Sequence, residues 1–521
     1  MRGCSRSMTS VSNNPHPTGL FAILLTSLML IASCSSRAGL PELAPAAGEQ
    51  PLYPNIVIIM ADDLGWNDVG FNGSEIRTPN LDRLAAEGVV LNRFYAQPTC
   101  SPTRAALMTG QSPLRLGVLA PMSKNMQNGL PLSERILPQY LQDAGYQTAL
   151  LGKWHLGGNR RPYHPNNRGF DYVYGNLHGG IGYWDHVHGG GYDLQRNGKT
   201  VREEGYVTDL IAEEAVRVIA ERDIARPLFL MASFNAPHLP NEAPEAAISS
   251  YSDIPDPRRR VHAAMVSQFD AAVGEIVTAL EAEGLIDNTI IWFLSDNGGL
   301  IPAPAPPANL SPEQVVAQLE QRFGIRMTPR FLEFIQVNST GGGSDNSPFR
   351  GGKGSVFEGG VRVPSLVYWR GVLEAGRNEA FVSVQDLLPT LIDAAGIPHE
   401  AGPLDGRSAW PVISSAGAGA VEAPGYAVQT HQAQDIAYYR YPWKLVLIAN
   451  TPVRLFNLAD DPQEQNDLAG AYPEQVAALS AELAALPRGA DIALPLQDVV
   501  DDPDFFGGEE DREPWAEQIR D

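Results

Sequence analysis

Cysteine is the residue this chain most conspicuously lacks: three in 521 residues, Cys4, Cys34 and Cys100. That count excludes a disulfide-stapled fold, so the structure must stand on a hydrophobic core, and a chain this long has ample interior to build one. Positive charge is also short. Thirty-eight Lys and Arg face 60 Asp and Glu, a net charge of −22. A field of that sign repels polyanions, which argues against nucleic acid as a partner. An anionic substrate would need a local basic pocket of its own. No internal repeat is visible, and the apolar run Leu20–Ala32 is too short to cross a bilayer. Glycine (50) and proline (42) are plentiful, implying many turns and long loops.

The N-terminal apolar run has the flanks of an export signal. Arg2 and Arg6 precede it, and it ends Leu30-Ile31-Ala32-Ser33-Cys34, which resembles a bacterial lipobox. The resemblance implies cleavage before Cys34 and acylation of its thiol; small residues before a cysteine also suit an ordinary signal-peptidase site. Residues 1–33 are thus expected to be a lipoprotein-type signal peptide and 34–52 a tether. The expected location is periplasmic or cell-surface, with a lipid anchor in the membrane.

From Asn55 onward apolar strands alternate with amphipathic helices, the pattern of an α/β domain around a mostly parallel sheet. Asn55–Met60, Leu228–Phe234 and Thr289–Leu294 read as buried strands. The spacing predicts helices over Glu134–Ala144, capped by Ser133, and over His262–Glu283. Residues 301–345 break the rhythm as an insertion, with Ser311-Pro312-Glu313-Gln314 as a capping box. The expected organisation is a catalytic domain over 53–410 and a C-terminal subdomain over 411–497. In the latter, Ile436–Ile448 and Val453–Phe456 read as antiparallel strands ahead of a helix near Pro473–Leu486. Residues 498–521 form an acidic tail, expected to be loosely held.

Polar residues fall at the strand ends. Asp62 and Asp63 leave the first strand; Lys153 and His155 follow the apolar run Thr148–Leu151; His238 follows the strand ending at Phe234; Asp296 and Asn297 follow the strand ending at Leu294. In doubly wound sheets these ends share one rim, where ligands bind. Asp62, Asp63, Asp296 and Asn297 offer oxygen ligands only, which selects a hard cation such as Ca²⁺ or Mg²⁺ over Zn²⁺. Arg104, Lys153 and Lys353 would balance the excess negative charge and hold an anionic ester. Cys100-Ser101-Pro102-Thr103-Arg104 opens a helix, where the dipole favours an anion and lowers a thiol pKa, so Cys100 is a candidate reactive nucleophile.

These motifs resemble the type I sulfatases in order and spacing. The likeness rests on Cys-x-Pro-Thr-Arg, Gly152-Lys-Trp-His-Leu-Gly, Asn167-Arg-Gly-Phe-Asp, Asp296-Asn-Gly-Gly and Arg350-Gly-Gly-Lys353. It extends through Gln385-Asp-Leu-Leu-Pro-Thr and Leu455-Phe-Asn-Leu, covering roughly residues 53–490. Within the family the pattern is most similar to the arylsulfatase B, or N-acetylgalactosamine-4-sulfatase, type. The resemblance implies an alkaline-phosphatase-like α/β sandwich with a smaller C-terminal α+β subdomain on an antiparallel sheet. It implies hydrolysis of aryl sulfates or sulfated sugars, with one Ca²⁺ ion held by Asp62, Asp63, Asp296, Asn297 and residue 100.

In that family the cysteine is converted to formylglycine by a formylglycine-generating enzyme. The aldehyde hydrate attacks sulfur and gives a sulfo-enzyme intermediate. Carried over, Arg104 and Lys153 would hold the hydrate, Lys353 and His238 would bind sulfate and protonate the leaving oxygen, and His155 would take the proton that expels sulfate.

Two rivals stand beside that reading: a phosphonate or phosphate-ester hydrolase of the same superfamily, and an inactive lipid-anchored glycan-binding protein. A sulfate monoester carries less charge than a phosphate monoester, and no second-metal cluster stands out, which favours sulfate. The 301–345 insertion makes the Asn297–Lys353 spacing longer than the family pattern. It reads as a lid or subsite wall, or as a surface excursion. Arg160, Arg161, His164, Arg168, His178, Tyr183, Trp184, His186 and His188 suit either a glycan pocket or loop packing.

Overall fold

The computed structural model describes residues 53–521 apart from 303–310, 399–401, 416–424, 431–434 and 502–511. The export signal, Cys34 and the tether lie outside the described residues.

The main sheet has ten strands: β1 (Asn55–Ala61), β2 (Val89–Leu91), β3 (Gln147–Gly152), β4 (Tyr172–Gly175), β5 (Gln195–Arg196), β6 (Lys199–Thr200), β7 (Leu228–Ser233), β8 (Thr289–Ser295), β9 (Ser365–Tyr368) and β10 (Gly376–Asn378). Their spatial order is β10-β2-β9-β8-β1-β7-β3-β4-β5-β6. The inner five, β8-β1-β7-β3-β4, run parallel. The flanks are mixed, with β9 antiparallel to β8 and β2, and β5 antiparallel to β4. The sheet is thus mostly parallel as expected, with a parallel centre and a further parallel pair, β10 with β2, at one edge.

Strand β1 shows why the centre is dry. Its Ile56, Ile58 and Met60 face one core and its Val57, Ile59 and Ala61 the other, so an apolar run rich in β-branched residues is buried on both faces. Full burial of each large side chain is worth about 1.5–3 kcal/mol. On the second core lie α1 (Pro79–Glu87), then α4 and α5; on the first lie α2 (Cys100–Thr109) and α3 (Leu137–Asp143). Here α4 is Val207–Glu221 and α5 is Pro257–Ala282. The insertion carries α6 (Pro312–Phe323), capped by Ser311, and α7 (Pro329–Gly341), while α8 (Leu387–Ala394) completes the first layer.

Two helix boundaries differ from the pattern-based reading. Helix α3 begins at Leu137 rather than Glu134, because the Pro138 ring would clash with a helical carbonyl at Glu134. Helix α5 begins at Pro257, five residues before the apolar stripe, because Asp256 caps it by accepting a hydrogen bond from the Arg258 amide.

The C-terminal sheet is antiparallel, in the order β11 (Tyr426–Gln429), β12 (Asp435–Arg440), β13 (Trp443–Ile448), β14 (Arg454–Asn457). Its Leu445 and Leu455 pack with Leu479 and Leu483 of α9 (Pro473–Ala485). Its other face meets Tyr95, Val356 and Val361 of the larger layer. A buried ion cluster stitches the two: Lys444 Nζ lies 3.1 Å from Glu358 and 2.6 Å from Glu464.

The described end of the chain is not loose. Trp515 is 3% exposed, the Arg161 amide donates to the Arg520 carbonyl, and the Arg520 amide donates to that of Asn159. A single large aromatic outweighs the acidic composition on which the looser expectation rests. The short α10 (Leu496–Asp501) brings Val500 against Ile325, Met327 and Phe331 of the insertion.

Candidate active site

Register decides where the polar residues meet. Ala61 pairs with Ser295, Met60 with Ser233, and Ser233 with Gly152, so β8, β1, β7 and β3 end at one level. The chain then delivers Asp296, Asp62 and Lys153 as the next residues, while His155 and His238 follow within a few positions. Two features make the rim tight. Gly152, at φ 95°, lies so close to β7 that an added Cβ would sit 2.0 Å from the Ser233 carbonyl oxygen. A Cβ on Gly298 would sit 1.9 Å from the Gly359 carbonyl oxygen, which fixes the Asp296–Asn297 turn against the segment carrying Lys353. Asp63 and His155 both take positive φ, 67° and 57°, an uncommon conformation for residues with side chains.

The side chains interlock as alternating charges. Lys153 Nζ donates to Asp62 Oδ2 at 2.7 Å, and Lys353 Nζ donates to Asp63 Oδ2 at 2.7 Å. Arg104 Nε and Nη2 both donate to Asp296 Oδ2, at 3.1 and 2.9 Å, while its Nη1 donates to the Lys153 carbonyl and to Ser233 Oγ. Three carboxylates thus face three cations in a dry setting. Asn297 Nδ2 donates to Asp63 Oδ1, and Asn297 Oδ1 is buried with no hydrogen-bond partner among the described residues. Donor atoms of Asp62, Asp63, Cys100 and His238 lie within 4.8 Å of one another.

Burial sets the titration of these groups. Asp62 is pushed up to about 7 by desolvation and by Asp296, against the pull of Lys153. Burial works on Asp63 in the same sense, yet Lys353 and His238 hold it well below the usual carboxylate range. Cys100 opens α2 as expected, but its thiol is pushed up to about 12 by burial and by Asp296. Burial among carboxylates thus works against the helix field at Cys100, whose sulfur lies 3.6 Å from Asp62 Oδ1.

The histidine tautomers follow from their partners. His155 Nε2 sits 2.9 Å from the Met122 carbonyl oxygen, which can only accept, so Nε2 carries the proton and buried Nδ1 keeps its lone pair. Burial, Lys153 and Arg104 hold this imidazole neutral. His238 Nδ1 likewise donates to the Leu239 carbonyl, leaving Nε2 3.8 Å from Asp63 Oδ2.

Every residue read from the sequence as site-forming, Asp62, Asp63, Cys100, Arg104, Lys153, His155, His238, Asp296, Asn297 and Lys353, therefore lies in this one cluster. The nine glycan-stretch residues divide. Arg168 donates to the carbonyls of Leu130, Pro131 and Glu134, and His164 Nδ1 accepts from the Asn166 amide. His178 is held by Asp193, and His186 by Tyr192 and the Gly205 carbonyl. Arg160 and Arg161 bind Asp521. Tyr183 Oη donates toward the Asn235 and His238 carbonyls, bracing the His238 turn. Among the described residues, Trp184, half exposed, and His188 make no side-chain hydrogen bond, and His164 engages only its Nδ1, its Nε2 being buried without a partner.

Comparison with known proteins agrees with this geometry. A model of the sulfatase family matches residues 54–397. The chain is 31% identical to mouse arylsulfatase J over 90% of its own length and 81% of the relative's. It is 32% identical to human N-acetylgalactosamine-6-sulfatase, over 70% and 67%. The solved structure titled Ps i-CgsB in complex with k-i-k-neocarrahexaose superposes with TM-score 0.73 at 31% identity, covering 87% of this chain and 99% of that one. Sulfatases generally depend on a metal ion and a formylglycine, and the acidic cluster around Cys100 is of the kind that holds such an ion. The chain belongs to the sulfatase family and is a sulfuric ester hydrolase.

Proposed function

We propose that this enzyme removes sulfate from a carbohydrate, using one Ca²⁺ ion and a formylglycine made from Cys100. The observation that carries the reading is the joining of three carboxylates, Asn297, residue 100, three cations and two histidines on one rim. Asp62, Asp63, Asp296 and Asn297 would hold the ion, with residue 100; the unpartnered Asn297 Oδ1 and an all-oxygen donor set from the protein fit a hard cation. Bound there, Ca²⁺ supplies Lewis-acid polarisation of the ester oxygens. The aldehyde hydrate at residue 100 supplies the oxygen that attacks sulfur.

The remaining work falls to side chains. Arg104 and Lys153 hold the hydrate; both are anchored on carboxylates, so little reorganisation is needed when charge develops. His155 Nδ1, with its lone pair, is suited to take a proton from a hydroxyl at residue 100. Lys353 binds the sulfate oxygens, and its ammonium is held well above its ordinary pKa by Asp63, although burial opposes this. His238, braced by Tyr183 and facing Asp63 through Nε2, would line the leaving-group side of the site, and the Lys353 ammonium, which carries protons beside it, would protonate the departing alcohol.

A sugar substrate is supported by half-exposed Trp184, tilted against Tyr206 with ring centroids 5.1 Å apart, and by the oligosaccharide named with the Ps i-CgsB structure. Maturation would require a formylglycine-generating enzyme. The Leu30–Cys34 signal supports export and a lipid anchor at Cys34 in the periplasm or at the cell surface.

The test begins with the mass of the tryptic peptide Phe94–Arg104 from the native host. Loss of sulfur and reaction with a hydrazide probe are expected, together with sulfate release from a panel of sulfated oligosaccharides. An alkylatable Cys100 in active protein, or faster turnover of matched phosphate esters, would overturn the reading.

A further inference from the structure

One histidine at the site mouth has no hydrogen-bond partner for its ring among the described residues. The hairpin Val187–His188/Gly191–Tyr192 follows the loop that wraps the catalytic histidines. A Cβ built on Gly179 would fall 2.8 Å from His155 Nε2. One on Gly180 would fall 3.4 Å from His238 Cε1 and 3.7 Å from His188 Nδ1. The His188 and His238 rings thus approach the same point above Gly180. His164, His178 and His186 commit ring nitrogens to protein partners. Neither ring nitrogen of half-buried His188 makes a hydrogen bond among the described residues.

The ring is nevertheless held firmly. It stacks on His178, with centroids 5.7 Å apart and planes 6° from parallel. His178 is fixed by Asp193 at 3.0 Å and Asn159 at 3.3 Å, and Trp515 packs against it with centroids 4.4 Å apart. Trp515 Nε1 also donates to the His188 carbonyl at 2.8 Å. Gly191 lets that ring close, since a Cβ there would lie 2.7 Å from Trp515 Nε1. Lys124 Nζ donates to the next carbonyl, Gly189, at 3.2 Å. A polar ring immobilised from behind, with its own polar atoms unspent beside the reacting centre, is arranged to receive something from solution.

We infer that His188 is a specificity-determining residue that binds a hydroxyl of the sugar bearing the sulfate ester. Trp515, near the C-terminal end of the chain, is the positioning residue that sets it. A neutral imidazole offers one N–H donor and one acceptor, and a sugar hydroxyl returns both. Burial together with the neighbouring His178 and Lys124 keeps the ring neutral. This rests on the carbohydrate reading above.

The experiment compares kcat/KM on the best saccharide of a sulfated-oligosaccharide panel with kcat/KM on 4-nitrophenyl sulfate. The proteins are the matured wild type, His188→Ala, Trp515→Ala, Trp515→Phe and the double alanine variant. His188→Ala is expected to lower the saccharide-to-aryl ratio about five- to tenfold, the scale of one well-placed hydrogen bond. The loss should fall mainly on saccharide KM. Trp515→Ala should reproduce it without adding to it in the double variant, while Trp515→Phe keeps the ring and falls between. A ratio unchanged within about twofold in His188→Ala, or fully additive losses, overturns the inference. A wild type that hydrolyses the aryl ester and no saccharide overturns the carbohydrate reading, and this inference with it.

Discussion

Replacing Lys444 by Met tests whether the C-terminal sheet supports the catalytic loop. Lys444, Glu358 and Glu464 are all 0% exposed, and the ammonium lies 3.1 and 2.6 Å from the two carboxylates. Glu464 also accepts from the Glu358 amide, one residue beyond Phe357 in the segment that carries Lys353. Removing the ammonium leaves two buried carboxyls facing each other, and breaking such a pair costs about 3–5 kcal/mol. The assay is urea unfolding followed by fluorescence, with kcat measured on the same samples. At pH 7.5 the midpoint should fall accordingly, and kcat should fall with it.

Adding Glu464→Gln should recover part of the loss, because one of the two unbalanced acids is gone. The pH dependence has a definite sign. Burial pushes Glu464 up to about 7, above its ordinary 4.5, so the native state binds its proton more readily. Its stabilising contribution is present below pH 4.5 and is lost as pH rises through 7. Without Lys444 the carboxyl is held higher still, so the Met variant's deficit should shrink at about pH 5.5. A Met variant within about 1 kcal/mol of wild type, or a double variant no more stable than the single, would refute the reasoning.

Other consequences are simpler to measure. Chelation by EGTA should abolish turnover and lower the melting temperature, with Ca²⁺ restoring both; at a hundredfold excess over Kd the ion should return about 2.7 kcal/mol. Asn297→Ala should shift the calcium titration to higher concentration while leaving the conversion of Cys100 detectable by mass. Lys353→Met should lower kcat by about 10²–10³ on every sulfate ester, as loss of a preorganised charge partner does. His164 is held down to about 4 by burial, below its ordinary 6.5. Stability should therefore fall as pH drops from 6.5 to 4, by up to about 3 kcal/mol, and His164→Phe should flatten that limb of the urea midpoint curve.

How much of this can be read from the sequence depends on whether the cause is local. The run Asn55–Met60 identifies itself, since apolar, mostly β-branched residues on both faces mean a central parallel strand, and everything at its end must then reach the rim. Asp62, Asp296 and Lys153 are legible for that reason: each is the residue after a strand, and parallel register does the rest. The start of α5 is half legible, because Asp256 and Pro257 are a cap signature but Arg258, Arg259 and Arg260 hide the apolar stripe. Tyr426–Gln429 escapes a pattern-based reading because four residues beside a Gly/Ala-rich stretch show no period.

The state of Cys100 cannot be read locally at all. A helix start argues for a lowered thiol pKa, and burial together with Asp296, 196 residues away in sequence, reverses the sign. His188 and Trp515 are the same case. Nine basic and aromatic residues look alike in sequence, and they separate only when each nitrogen is followed to its partner. Those partners come from Asp193, Asn159, Gly205 and the C-terminal end of the chain. Strand ends are written locally, so the catalytic rim is legible; which imidazole is left for a substrate is decided by subtraction across the whole fold, and no window of sequence contains that information.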